Sequence, residues 1–128
     1  MARKRLLLID DEEDFCALAK KTLETIGEFD IVIATSGKDG IKAAKKERPD
    51  LILLDIRMPG TDGFQVLDAL KKEKTTMGIP VIMLSALHDE ETKCKATQSL
   101  DEAYITKPIE AEDLKAKIDE VFKRRGIA

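Results

Sequence analysis

Hydrophobic residues fall into two kinds of segment that alternate along the chain. Segments of the first kind are short apolar runs with an acid or proline next to one end or both, a pattern typical of buried strands. Five such runs occur, at residues 6–9, 29–34, 51–54, 81–84 and 103–105. Between them, apolar residues recur at intervals of three and four, which indicates helices with one buried face. The pattern therefore predicts a strand followed by a helix, five times in succession.

The five predicted helices differ in how much apolar surface they offer to a core. They run from about Glu12 to Ile26, from the Ser36 cap to about Glu47, from Thr61-Asp62-Gly63 onward, from just after His88-Asp89-Glu90-Glu91 to about Ser99, and from about Glu110 to Arg125. The apolar spacing on the first helix predicts one buried face, formed by Phe15, Leu18, Ala19, Thr22, Leu23 and Ile26. The fourth has a thin apolar face, so tertiary contacts hold it weakly and we expect it to be the most mobile.

Alternating strands and helices predict an α/β fold with one parallel sheet, because parallel strands need crossover connections. The first, third and fourth apolar runs are wholly apolar and are expected in the centre of the sheet, whereas the second and fifth are mixed and are expected at its edges. The resulting strand order, 2-1-3-4-5 with helices on both faces, is flavodoxin-like. No linker or repeat interrupts the pattern, so residues 1–128 are interpreted as one domain.

Polar residues with related chemistry follow four of the predicted strands. Asp10 and Asp11 follow the first, Asp55 the third, Ser85 the fourth and Lys107 the fifth. Taken singly, the acids are explained as helix caps or strand-end acids, the serine as a turn residue and the lysine as a solvated side chain. Parallel strands bring their carboxyl ends to one sheet edge, where such folds bind ligands. Clustered carboxylates repel unless a hard cation such as Mg²⁺ is bound, so the pattern predicts a metal-assisted phosphoryl site.

Composition and charge argue against nucleic acids and membranes as partners of this domain. The 128 residues carry a net charge of −3 with 37% charged residues, whereas a nucleic-acid-binding domain is expected to be strongly basic. No apolar run approaches the roughly 20 residues that span a bilayer, and no signal peptide is visible. Cys16 and Cys94, which lie on different predicted helices, are therefore expected to be reduced thiols of a cytoplasmic protein. Neither nucleic-acid nor membrane binding is expected of this domain.

Four segments carry a more specific signal than composition does. They are segments 7–12, 50–63, 80–86 and 104–108. With these segments the chain resembles the response-regulator receiver domains of two-component signalling, the family of the chemotaxis protein CheY. The resemblance extends over nearly the whole chain, and the four segments stand in the family's order and spacing.

The resemblance implies a phosphoacceptor and a metal site. Asp55 would accept a phosphoryl group from a histidine kinase or phosphotransfer protein. Asp11 and Asp55 would bind Mg²⁺ together with the backbone carbonyl of Arg57, and Asp10 would act mainly through water. Lys107 would contact the phosphoryl group. On this interpretation the domain is not an enzyme in the ordinary sense, although it promotes its own phosphotransfer and dephosphorylation.

The resemblance also implies a switch. Ser85 and Tyr104 would relay phosphorylation to the surface formed by the fourth helix, fifth strand and fifth helix, where an output protein or domain would bind. A homodimer formed on phosphorylation is a further expectation. The Lys107-Pro108 bond is predicted to be cis, which would direct Lys107 across the site. One departure is that Leu100-Asp101 stands where many members have Gly-Ala, which affects the loop before the fifth strand.

Three other functions compete with this interpretation. A nucleotide- or flavin-binding enzyme of the same topology needs a glycine-rich turn after the first strand, whereas this chain has the acidic segment 10–14 there. A phosphatase with an aspartyl-phosphate intermediate is expected to carry Asp-x-Asp, but here the aspartates are adjacent. A receiver-like binding module that is not phosphorylated would not require the acids, Ser85 and Lys107 together.

Overall fold

The computed structural model describes residues 3–27, 29–58, 60–85, 103–107 and 110–126. Its main sheet has five strands in the order β2-β1-β3-β6-β7, and every pair is parallel. Those strands are β1 (Lys4–Ile9), β2 (Phe29–Ala34), β3 (Leu51–Asp55), β6 (Val81–Ser85) and β7 (Ala103–Thr106). The predicted flavodoxin-like sheet and its strand order are therefore confirmed, and the two mixed apolar runs lie at the edges as expected.

In the described residues, four helices cover the two faces of this sheet. They are α1 (Glu13–Ile26), α2 (Gly37–Glu47), α3 (Gly63–Lys72) and α4 (Ala111–Arg124), the last being the fifth helix of the sequence prediction. Side chains of α1 and α4 pack on one face of the sheet, and those of α2 and α3 pack on the other. The fourth predicted helix lies outside the described residues. In the part of the chain that the structure describes, no helix is long and apolar enough to cross a membrane.

The central strands are buried on both faces, which explains their continuous apolar runs. Leu6, Leu8 and Leu53 contribute to the core shared with α1 and α4, whereas Leu7 and Leu54 contribute to the core shared with α2 and α3. Successive side chains of a strand point to opposite faces, so a strand between two helical layers needs apolar residues at every position. This demand fixes β1 and β3 side by side, with Ile9 next to Leu54. The strand ends that follow them therefore lie together.

Two helix starts agree with the sequence prediction and one does not. The Ser36 hydroxyl accepts a hydrogen bond from the Asp39 backbone N–H, and Asp62 forms a reciprocal capping box with Gln65 at the start of α3. The interpretation of Asp10 and Asp11 as caps of the first helix is wrong. The residue at that cap is Glu12, which makes no side-chain capping bond. The aspartates are thereby left at the end of β1.

The predicted buried face of α1 is partly wrong. Leu18 is 66% exposed and Ile26 is 38% exposed, whereas Cys16 and Leu23 are buried and Phe15 packs at the edge of the core. Two apolar rows compete on this helix, because residues four apart lie on one face. The row containing residues 15, 19 and 23 faces the sheet, and the row containing residues 18, 22 and 26 does not.

A two-stranded hairpin that the sequence did not predict follows β3. The strands are β4 (Arg57–Met58) and β5 (Thr61–Asp62), which pair antiparallel. Regular structure was expected to end at this point of the chain, but Arg57 pairs with Asp62 and Met58 pairs with Thr61 in two very short strands. Gly60 has a φ of 72°, a conformation that glycine adopts at little cost. The hairpin leads the chain from Asp55 directly into α3.

Candidate functional site

Three carboxylates converge at the carboxyl edge of the sheet. Asp10 and Asp11 directly follow β1, and Asp55 is the last residue of the adjacent strand β3. One carboxylate oxygen from each lies within 4.8 Å of the others. Asp10 is fully buried and Asp55 is 5% exposed, whereas Asp11 is only partly buried. The sequence prediction that these three acids lie together thus agrees with the geometry.

Asp10 is held by its backbone as well as its carboxylate. Its N–H donates to the Ala34 carbonyl of β2 at 3.0 Å, and its carboxylate accepts from the Glu12 backbone N–H at 3.0 Å. The Cys16 thiol donates to the Asp10 carbonyl oxygen at 3.3 Å. Burial, and then the charge of Asp10, raises the pKa of Cys16 to about 12, so this thiol stays protonated and unreactive. Asp10 is a fixed part of the site.

Lys107 places its ammonium among the acids. Its Nζ lies 2.5 Å from an Asp10 oxygen, 3.1 Å from a Glu12 oxygen and 3.8 Å from an Asp55 oxygen. Its backbone N–H donates to the Ser85 carbonyl at 2.6 Å, so the end of β6 fixes where the side chain begins. Burial alone lowers the pKa of Lys107, but the hydrogen bond to Asp10 and the charge of Asp55 outweigh it and raise the pKa. Lys107 therefore remains a cation.

Asp55 is the acid whose ionisation is most strongly affected by the site. Burial, and then the charge of Asp10, raises its pKa from 3.8 to about 7. The charge of Lys107 and a hydrogen bond from the Arg57 backbone N–H act in the opposite direction but are weaker. The carboxylate thus stands in a low-dielectric position beside like charges. Binding of a proton or a cation that neutralises the Asp55 carboxylate is therefore favoured.

The acids fit a magnesium ion by the chemistry of their donors. Mg²⁺ prefers hard oxygen ligands, and the cluster offers three carboxylates. Lys107 brings one positive charge against these carboxylates and Glu12, so the site carries excess negative charge that a divalent cation would neutralise. Asp10, Asp11 and Asp55 are therefore suitable metal ligands, and the role of the Arg57 carbonyl stays a prediction.

Ser85 and Tyr104 form a hydroxyl pair next to the acids. Ser85 ends β6 and is 1% exposed, and its hydroxyl is hydrogen-bonded to the half-buried Tyr104 hydroxyl. Strand pairing places them on adjacent strands, with Tyr104 beside Met83. The sequence analysis expected these two residues to act together as a relay, and in the structure their hydroxyls are in contact. Any displacement of one hydroxyl must therefore affect the other.

Three residues that the sequence analysis did not select also shape the site. Glu12 pairs with Lys107, and the Phe15 ring lies with its centroid 4.4 Å from the Lys107 Nζ. Gly63 donates its N–H to the Ile56 carbonyl at 2.7 Å, directly behind Asp55. The one signal in the sequence for Phe15 is its place in the first turn of α1, which starts next to the acids that follow β1. The sequence gives no comparable signal that Gly63 lies next to Ile56.

Several predicted features lie outside the described residues. These are the fourth helix, Cys94, His88, the Leu100-Asp101 departure and the Lys107-Pro108 bond, whose predicted cis geometry stays a prediction. Arg57 is described and its side chain is exposed.

Comparisons with known proteins agree on one family. Residues 6–119 match the family described as the response regulator receiver domain. The alkaline phosphatase synthesis transcriptional regulatory protein PhoP of Bacillus subtilis is 34% identical over 125 residues, which cover 98% of this chain and 51% of that protein. The phosphate regulon transcriptional regulatory protein PhoB of Pseudomonas aeruginosa is 33% identical over 126 residues, covering 98% of this chain and 55% of that protein. This chain thus spans about half the length of these curated relatives.

The fold has similar solved structures as well. The receiver domain protein (CheY-like) from Methanospirillum hungatei JF-1 superposes with a TM-score of 0.86 at 28% identity, and the match covers 97% of each chain. The chemotaxis protein CheY4 of Vibrio cholerae superposes with a TM-score of 0.85 at 25% identity and covers 94% of this chain and 99% of that chain.

Proposed function

The chain belongs to the response-regulator receiver domain family, and from that premise we propose that it is the phosphoacceptor of a two-component His-Asp phosphorelay, with Asp55 as the acceptor. The observation that carries the proposal is the environment of Asp55. This carboxylate is buried, lies in a cluster with Asp10 and Asp11, and has the Lys107 ammonium 3.8 Å away. Residues 1–128 would form the whole receiver unit.

The proposed transfer is a displacement at phosphorus. An Asp55 carboxylate oxygen forms a bond to phosphorus while the phosphorus–nitrogen bond of a phosphohistidine donor breaks, and the electron pair stays on the imidazole nitrogen. Lys107 lies where it can pair with the transferred oxygens as it now pairs with Asp10. Asp11, Asp55 and the Arg57 carbonyl would hold magnesium, with Asp10 acting mainly through water, and the ion would supply positive charge to the same oxygens. Lys107 and the metal would both stabilise the negative charge on the phosphoryl oxygens during the transfer.

Ser85 and Tyr104 are proposed to report the change. A phosphoryl group on Asp55 would offer the Ser85 hydroxyl a charged acceptor in place of the Tyr104 hydroxyl that it now contacts. Tyr104 lies on edge strand β7, so loss of its hydrogen bond to Ser85 would change the surface that includes β7 and α4. The output protein or domain, and a homodimer formed on phosphorylation, would use that surface together with the predicted fourth helix. Such a switch needs two discrete packings of the pair.

Partners and location follow from the same proposal. The phosphodonor would be a histidine kinase or a phosphotransfer protein, and the setting would be the cytoplasm. Neither nucleic acid nor a membrane is proposed as a partner of this domain, whose net charge is −3. The domain would promote its own phosphorylation and dephosphorylation without acting on a separate substrate. A binding module that is never phosphorylated is the competing function, and the complete acid, hydroxyl and lysine set disfavours it.

Mass spectrometry after incubation with acetyl phosphate tests the proposal. We expect the parent to gain one phosphoryl group in Mg²⁺ and much less in EDTA, and we expect Asp55→Asn to gain none. Asp68→Asn is the matched control, because Asp68 is an exposed aspartate on α3 away from the acid cluster. A parent that stays unmodified in Mg²⁺ would instead support the unphosphorylated binding module.

A further inference from the structure

An aromatic ring borders the site on the side of α1. Phe15 is the third residue of α1, and the Lys107 ammonium stands over its ring at 4.4 Å from the centroid. Attraction between a cation and the face of an aromatic ring is significant within about 6 Å. Phe15 is half-buried and packs against the core shared by α1, α4 and the sheet. The ring is therefore a fixed surface for a flexible side chain.

The ammonium of Lys107 needs such a surface because its other partners draw it in different directions. Nζ lies closest to Asp10, next to Glu12 and farthest from Asp55. Glu12 is largely exposed, with 62% of its side chain accessible, and offers the lysine a route out of the site. Holding a lysine side chain in one place also costs rotamer entropy. Without a further constraint, the cation would spend time away from Asp55.

We propose that Phe15 is a positioning residue for Lys107, and this inference rests on the proposed phosphoacceptor function. The ring holds the ammonium beside Asp55 without adding another negative charge to a cluster of acids. A carboxylate at this position would compete with a transferred phosphoryl group for the same N–H donors. A ring attracts the cation through its face and leaves all three N–H donors free to be reassigned.

The ring's charge distribution, rather than its bulk, is the property to test. Substituting Phe15 with mono-, di- and trifluorophenylalanine withdraws electron density from the ring face and nearly preserves its shape. We expect the rate constant for phosphorylation by acetyl phosphate in Mg²⁺ to fall stepwise along the series, by about fivefold at the trifluoro ring. Fivefold corresponds to about 1 kcal/mol, the usual strength of such a contact. Phe15→Tyr should keep most of the rate, and Phe15→Leu should lose as much as the trifluoro ring.

Two controls separate positioning from a structural effect. The same fluorinated series at Phe29, which is buried in the same core at the amino end of β2, should leave the rate unchanged. The lysine side-chain protons of Lys107 should show an upfield ring-current shift in the parent that disappears in Phe15→Leu. This second readout does not require phosphorylation.

The outcomes are distinguishable. A graded decrease at position 15 with a flat series at position 29 supports the inference. A phosphorylated parent with a flat series at position 15, or an equal decrease at both positions, overturns it. Absence of the ring-current shift also overturns it, whatever the rates. A parent that acetyl phosphate does not modify at all refutes the phosphoacceptor function and with it the positioning role, even if the ring-current shift is present.

Discussion

Neutralising Asp55 is expected to make the metal-free protein more stable. Asp55 is 5% exposed and lies in a cluster with Asp10 and Asp11. The Lys107 ammonium, 3.8 Å from an Asp55 oxygen, offsets only part of this negative charge. Asp55→Asn keeps the size and most of the hydrogen-bonding capacity of the side chain and removes its charge. The free energy of unfolding should therefore rise in EDTA, although the substitution removes the proposed acceptor. The carboxylate that the proposed function needs at position 55 would then lower the stability of the metal-free protein.

The magnitude follows from the ionisation of Asp55. Its pKa is about 7 in the folded protein against an ordinary 3.8, a difference of about three pH units. At about 1.4 kcal/mol per unit, the upper limit is about 4 kcal/mol. Water entering the crevice and local relaxation reduce this value, so we expect about 1–2 kcal/mol.

The pH dependence has a definite sign. Because folding raises the pKa of Asp55, the stability associated with its protonated form is complete below pH 3.8 and is lost as the pH rises through about 7. The gain from Asp55→Asn should therefore be small near pH 4 and largest at pH 8. Urea denaturation followed by circular dichroism measures it at both values in EDTA, with Asp68→Asn as the exposed control. An Asn variant less stable than the parent at pH 8 would refute the reasoning.

Magnesium supplies the reciprocal measurement. A ligand that binds only the folded state stabilises it by about 1.4 kcal/mol at ten times its dissociation constant. The parent should gain this amount in Mg²⁺, and Asp55→Asn should gain less because it lacks one ligand of the cluster. If Mg²⁺ shifts neither urea midpoint, the three aspartates do not form a metal-ready cluster.

Three other expectations concern neighbouring residues. Gly63→Ala places a Cβ 2.7 Å from the Ile56 Cα, so urea denaturation should show a loss of about 1–3 kcal/mol. Gly78→Ala, whose Cβ meets nothing within 4 Å, is its control, and equal losses would exclude the clash. Arg57→Ala should speed phosphoryl loss, because this exposed side chain two residues beyond Asp55 would hinder attacking water; an unchanged decay of radiolabel would reject this role. Beryllofluoride, a phosphoryl mimic, should shift amide resonances of β7 and α4, and shifts confined to α1 and α2 would contradict the proposed switch.

The fold was predictable because burial leaves little choice of residues in a two-sided sheet. β1 and β3 need apolar side chains on both faces, and this demand is visible as continuous runs. Edge strand β2 mixes exposed Asp30 with buried Phe29 and Ile31, which is why its edge position was also visible. Strand order then follows from crossover handedness and the central runs.

Helix orientation was less predictable than helix position. Two apolar rows on α1 satisfy the same spacing, and only packing decides that Leu23 is buried while Leu18 is exposed. The same rotation turns Phe15 towards Lys107, a contact between residues 92 positions apart. The hairpin after Asp55 was missed for a related reason, since two-residue strands carry no periodicity. Contacts of this kind depend on tertiary geometry, whereas the acids could be placed by strand ends alone.

The chemical identity of the phosphorylated residue tests the central claim most directly. An aspartyl phosphate is an acyl phosphate, so borohydride reduces it to homoserine, whereas phosphoserine and phosphotyrosine resist this treatment. After incubation with acetyl phosphate and Mg²⁺, reduction and peptide sequencing should find homoserine at position 55 and aspartate at positions 10, 11 and 50. Homoserine at another position, or a phosphoryl group that survives borohydride, would contradict the assignment of Asp55 as the acceptor.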